Sequence, residues 1–212
     1  MKLKTPIICP YKSVVIATQG FKPGIHEAND FVIWDYSMSV EANKRLTYGA
    51  KLVCPLKEAK VVWVEKWELE KDKVFSGIDG GQLQIEGLHE GQKLRLSYVH
   101  CSQVLVTEGQ TVREGDVIAL MGNMGDCRPL PTPEYPYDGT HLHFVVYTYP
   151  ANLNGNGLRV DPQTYFDITQ WYQGEDSSVT VDAQPLAWGI KKLGLTSIWD
   201  KVMYVLRVLG IV

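Results

Sequence analysis

From residue 13 to residue 147 the chain is a succession of short apolar, β-branched runs, each ended by glycine, proline or a polar turn. Residues 13–18, 30–35, 50–55, 60–64, 82–85, 94–100 and 142–147 are such runs, four to seven residues long. That length suits strands and is too short for core helices. Residues 94–100 alternate apolar and polar, the period of a strand with one face in the core. Residues 106–120 hold two further pieces, and Gly109 and Gly115 supply the permissive backbone that their corners need. The pattern predicts an all-β core. Residues 36–48 lack a clear period and read as a loop or excursion. Residues 122–139, with Pro129, Pro131, Pro133 and Pro136, form a long loop that we read as a wall beside a site, because Tyr135 and Tyr137 lie in it.

The texture changes near Asp167. Ser197-Ile198-Trp199-Asp200 resembles a capping box, and Ile198, Val202, Val205 and Leu209 recur at helical spacing before Gly210. The chain therefore divides into a β domain over residues 1–170 and a C-terminal α-helical appendage over 171–212. That helix is expected to pack on its own domain or a partner subunit, since Asp200, Lys201 and Arg207 make no basic face for a membrane surface.

A net charge of −3 argues against a nucleic-acid partner, and no run approaches the roughly 20 apolar residues of a membrane span. The first ten residues are cut by Pro6 and Pro10 and lack the apolar core of a secretory signal. Cys9, Cys54, Cys101 and Cys127 are too few and too scattered for a disulfide scaffold, although Cys101 and Cys127 each border a motif.

The chemistry lies with the histidines. His141 and His143 stand two apart at the mouth of the last β-run, so they project side by side from one strand face. His26 and Asp30 would be ~13 Å apart on a straight strand, whereas zinc ligands must lie ~2.0–2.2 Å from one ion. A turn at Pro23-Gly24 can bend the segment. A catalytic zinc takes three protein ligands and leaves one open position. His26, Asp30 and one member of the His141/His143 pair make such a set, with the other member beside the reacting water. His100, ending an alternating run, offers a further base or donor, while His89 reads as a solvated turn residue.

In order and spacing these elements resemble the lysostaphin/LytM-type zinc metallopeptidases. The likeness is carried by His26-x-x-x-Asp30, Tyr98-Val99-His100, Gly109-Gln110-x-Val112-x-x-Gly115-Asp116-Val117-Ile118-Ala119, Gly122-Asn123-x-Gly125 and His141-Leu142-His143-Phe144. It runs from about Thr18 to Pro162. The resemblance implies an antiparallel β-sheet with a groove (a β-hybrid-like fold), one Zn2+ per chain, and cleavage of peptide bonds in peptidoglycan cross-bridges or stem peptides. Carried over by position, His26, Asp30 and His143 are metal ligands and His100 and His141 catalytic histidines. His141 would then take a proton from water and pass it to the leaving amine, and His100 would hold the water or stabilise the oxyanion.

The chain departs from the family pattern in having Ala28 where a glycine is usual, and in inserted residues after Asp35 and in the loop 126–138. Both insertions flank the expected groove. The resemblance implies action on the cell wall outside the cytoplasm; with no secretory signal read in the first ten residues, delivery is expected by lysis, in a virion, or through a leader that precedes these residues. One rival is a non-hydrolytic cell-wall-binding or regulatory module of the same fold, in which site residues are typically missing. Another is a phosphocarrier or lipoyl-like domain. It has no use for His26-x-x-x-Asp30, and no lysine stands at the tip of the 106–120 hairpin. Among the aromatics, Tyr135 or Tyr137 is expected to touch substrate.

Overall fold

A computed structural model describes residues 1–10, 13–66, 81–149, 157–167 and 172–173. Its elements run β1 (Leu3–Lys4), β2 (Ile8–Cys9), β3 (Val14–Gln19), β4 (Asn29–Trp34), α1 (Val40–Thr47), β5 (Lys51–Val53), β6 (Glu58–Lys66) and β7 (Gly81–His89). There follow β8 (Gln92–Val104), β9 (Thr111–Arg113), β10 (Val117–Met121), β11 (Leu142–Thr148), β12 (Leu158–Val160), β13 (Phe166–Asp167) and β14 (Tyr172–Gln173). The main sheet is antiparallel in every pairing, in the order β3-β4-β11-β8-β7-β6-β9. β10 joins β8 to β5, and β12 extends β11 on its β4 side.

One face of the sheet carries the core. Phe31 of β4, Tyr98 of β8 and Phe144 of β11 are fully or almost fully buried, and the Phe144 ring packs against those of Phe31, Tyr98 and Phe166. The Tyr98 hydroxyl donates to the Val53 carbonyl at 2.9 Å, so the ring is buried without an orphaned polar end. The opposite face bears Val99, His143, Tyr147 and Arg95, all partly exposed. The mainly-β reading therefore holds; of the expected appendage over 171–212 only Tyr172–Gln173 is described, as β14 paired with β2, and the expected C-terminal helix lies outside the described residues. Among the described residues no helix is long and apolar enough to cross a membrane.

Two expectations change. Residues 36–48 contain a helix: Ser39 caps α1 by accepting from the Ala42 N–H at 3.2 Å, and Glu41 and Lys44/Arg45 suit its two ends. The helix gives little apolar signal because two of its three buried residues are Asn43 and Thr47. Asn43 accepts from the Asp35 N–H at 2.7 Å and donates to the carbonyls of Asp35 and Ser39, tying the helix to the end of β4. His89 ends β7 rather than lying in a turn, and it is partly exposed with its ring centroid 6.4 Å from that of Tyr165.

Ala28 is buried with no positive φ, so the family's glycine is dispensable there. All four cysteines are free thiols buried in the protein. Burial pushes Cys54 and Cys101 up to about 12, which leaves them unreactive.

Candidate metal centre

The site forms where β4 and β11 pair. His143 and Asp30 are register partners on neighbouring antiparallel strands, and such partners share a face. Their side chains meet at 2.9 Å, His143 Nδ1 to Asp30 Oδ1. His26 reaches the same oxygen because the chain folds back on itself at Pro23-Gly24. Lys22 pairs with His26, and Gly24 has φ +71°. The bend expected from ligand spacing is thus present, and His26 Nε2 lies 3.2 Å from Asp30 Oδ1. The Nε2 of His141 stands 3.7 Å from it.

Donors bonded tetrahedrally to one zinc at ~2.0–2.1 Å stand roughly 3.3–3.5 Å apart. The separations around Asp30 Oδ1 bracket that value, and two imidazoles with one carboxylate are a donor set that zinc accepts. The ligand atoms of His26, Asp30 and His143 all lie within 4.8 Å of one another, as do those of His100, His141 and His143. His143 belongs to both groups.

Backbone carbonyls fix three of the rings. His26 donates through Nδ1 to Gly20 O at 3.2 Å, His141 to Gly139 O at 2.7 Å, and His100 to Met124 O at 2.6 Å. A carbonyl can only accept, so each of these rings carries its proton on Nδ1 and presents a bare Nε2. Such partners set tautomer and aim in metal sites.

His100 arrives by a distortion that alternation does not predict. Between Tyr98 and Cys101 strand β8 advances three residues, while β7 advances two from Leu83 to Gly81. His100 takes up the extra residue with φ +65°. Tyr98 and Cys101 face the core, and the bulge turns both Val99 and His100 to the open face. The His100 ring comes within 4.6 Å of the His141 ring and 5.8 Å of the His143 ring, centroid to centroid. A non-glycine residue held at positive φ next to a site is strain tied to placement.

The electrostatics differ across the site. Burial, with the His141 charge adding to it, pulls the His100 imidazole down to about 4. Burial also lowers His141. For Asp30 burial works upward, but the His143 hydrogen bond and the charges of His141, His143 and His26 outweigh it and hold the carboxyl below its usual range.

The two insertions meet. Lys44 of α1 donates to Asp138 at 2.6 Å, Arg45 lies 5.6 Å from the Tyr137 ring centroid, and Tyr48 packs edge-on against Tyr137 at 5.3 Å. Asn123 donates to the Pro136 and Asp138 carbonyls at 3.0 and 2.8 Å. The loop leading into His141 is thereby pinned from two sides. Tyr137 is buried in this contact and is not placed to touch substrate, whereas Tyr135 is 46% exposed. Sequence reasoning missed Lys44 and Asp138, because an ion pair 94 residues apart in the chain leaves no local trace.

Residues 48–162 match peptidase family M23, and the chain belongs to that family. A Haemophilus influenzae protein described as an uncharacterized metalloprotease is 34% identical over 85 residues, 40% of this chain and 14% of that protein. The chain thus covers a small part of that relative's length. Among solved structures, a zinc-containing peptidase from Vibrio cholerae is similar at 23% identity and TM-score 0.45, over 76% of this chain and 39% of the other. The catalytic domain of the antimicrobial peptidase lysostaphin from Staphylococcus simulans is similar at 22% identity and TM-score 0.37, over 77% and 91%. The family match spans His100, His141 and His143 and starts beyond His26 and Asp30, whose place in the site rests on geometry.

Proposed function

We propose that the chain is a zinc-dependent endopeptidase that hydrolyses peptide bonds of bacterial peptidoglycan outside the cytoplasm, residues 1–170 forming its catalytic domain. The observation that carries this reading is the meeting of His26, His143 and Asp30 on one carboxylate oxygen, with two further histidines beside them. His26 Nε2, Asp30 Oδ1 and His143 Nδ1 would hold the metal. Zinc there supplies a Lewis acid that polarises a carbonyl and makes water acidic enough to react near neutrality.

The remaining work falls to His141 and His100. His141 Nε2, bare because Nδ1 is committed to Gly139, takes a proton from the attacking water and delivers it to the leaving amine. His100 also presents a bare Nε2, so it accepts from the second hydrogen of that water and orients it. With its ring proton spent on Met124, neutral His100 is a poor donor to an oxyanion, which favours the water-holding role.

The test measures bound metal together with release of peptides from purified peptidoglycan. His143→Ala should lose zinc and activity together, while His141→Ala should keep zinc and lose turnover. If both variants digest the wall like the parent, the site assignment fails. If the zinc-loaded parent binds the wall and releases nothing, the chain is a binding module.

A further inference from the structure

The open face of the sheet does not end at the metal centre. Tyr147 follows His143 by four residues on β11, so it faces the same way ~13 Å further along the strand. Its register partners are arginines on both sides, Arg159 on β12 and Arg95 on β8. The Arg159 guanidinium lies 5.6 Å from the Tyr147 ring centroid. The row therefore runs arginine, tyrosine, arginine across three strands.

The two arginines are used differently. Arg95 is bound through Nε and Nη2 to Glu86 at 2.7 and 2.6 Å, and Glu86 also takes Lys93 at 2.7 Å and the Tyr149 hydroxyl at 3.0 Å. One carboxylate thus serves two cations. Arg159 is half exposed, and among the described residues the one carboxylate its guanidinium meets is that of Glu27, Nη1 to Oε2 at 3.3 Å. Three cations (Lys93, Arg95, Arg159) face two carboxylates (Glu27, Glu86), which leaves one positive charge in excess. Glu27 directly follows His26 and accepts from the Gly24 N–H at 3.3 Å, so the contact sets Arg159 beside the turn that carries a metal ligand.

Building on the peptidase reading, we propose that Arg159, laid on Tyr147, is a subsite for a free carboxylate of the substrate peptide. A guanidinium offers five N–H donors in a fork that matches a carboxylate, and only one is engaged with Glu27.

The experiment compares native peptidoglycan with the same material whose carboxylates have been converted to amides by carbodiimide and ammonia. Chelator-treated protein is co-sedimented with each, so that binding is read without hydrolysis. The parent should favour the native wall by about fivefold, the scale of one partly exposed charge-assisted contact. Arg159→Gln should bind both preparations equally, Arg159→Lys should fall between, and Lys57→Gln, the same charge change at an exposed remote site, should behave as the parent. Equal binding by the parent overturns the proposal, as does a preference that survives in Arg159→Gln. Failure of Arg159→Gln to take up zinc also overturns it, because the arginine is then a strut for the His26 turn. A zinc-loaded parent that digests neither preparation counts against the peptidase reading and leaves the binding result to stand alone. Two soluble competitor peptides, one with an acidic side chain and an amidated end, the other with only a free C-terminus, identify which carboxylate is taken.

Discussion

The two halves of the site are built on opposite electrostatic terms. On the β4 side a carboxylate stands among imidazoles and is held ionised by them, which is what a cation needs. On the loop side His100 and His141 are partly buried, anchored to backbone carbonyls and kept neutral near pH 7, which is what a proton acceptor needs. The two meet at His143. A site can therefore separate holding a metal from moving a proton within a few ångströms, by choosing which rings face a carboxylate and which face a carbonyl.

The largest effect should come from removing the charge that defines the first half. Asp30→Ala should weaken zinc binding by more than about 100-fold in competition with a chromophoric chelator, since loss of even an outer partner of a metal ligand costs 10–100-fold. An Asp30→Ala protein that holds zinc like the parent would break the comparison. On the second half, His100→Asn should retain zinc, because asparagine tolerates the positive φ, yet lower kcat by roughly 100-fold. Zinc loss on that substitution would show that His100 belongs with the ligands.

Acid separates the halves in the metal-free protein. The folded pKa values of His100 and His141 lie below the ordinary 6.5, so the unfolded chain binds the extra protons as pH falls. Their contribution is fully present above 6.5 and is lost as pH drops toward their folded values, about 4 for His100. The His100 share is up to about 3 kcal/mol at ~1.4 kcal/mol per pKa unit. Asp30 adds stability above 3.8 that is lost only as pH falls through a still lower folded value. Urea melts at pH 7 and pH 5 should show the parent losing more stability than His100→Asn. Equal losses would remove His100 as the cause.

The smallest effect concerns the wall that carries His141. Lys44→Met and Asp138→Asn should each lower kcat a few-fold and stability by no more than about 1 kcal/mol, with the double variant no worse than either single one. Strict additivity in that cycle would show that the ion pair does not hold the loop.

Much of this was legible in the amino-acid order, for a physical reason: short apolar, β-branched runs ended by turn residues fit strands, and successive residues on a strand face opposite ways. Hence the runs that became β3, β4, β6, β8 and β11 could be read directly, and His141 and His143 could be placed side by side. Helix α1 escaped because its inner face is made with Asn43 and Thr47, whose burial depends on backbone partners that the pattern does not reveal. The orientation of His100 escaped because a bulge breaks the alternation used to read it. Tyr137 looked like a substrate contact by its neighbours in sequence, and Arg45 and Tyr48 cover it instead.

The bulge in β8 makes the length of that strand a chemical quantity. Deleting Val99 would restore unbroken alternation between Tyr98 and Cys101 with one residue facing the cleft there instead of two, and would remove the positive-φ kink that sets the His100 ring against His141 and His143. Exchange of Val99 for another side chain leaves that kink in place, whereas loss of one residue removes it, so the aim of the His100 ring is set by the count of residues between two core positions.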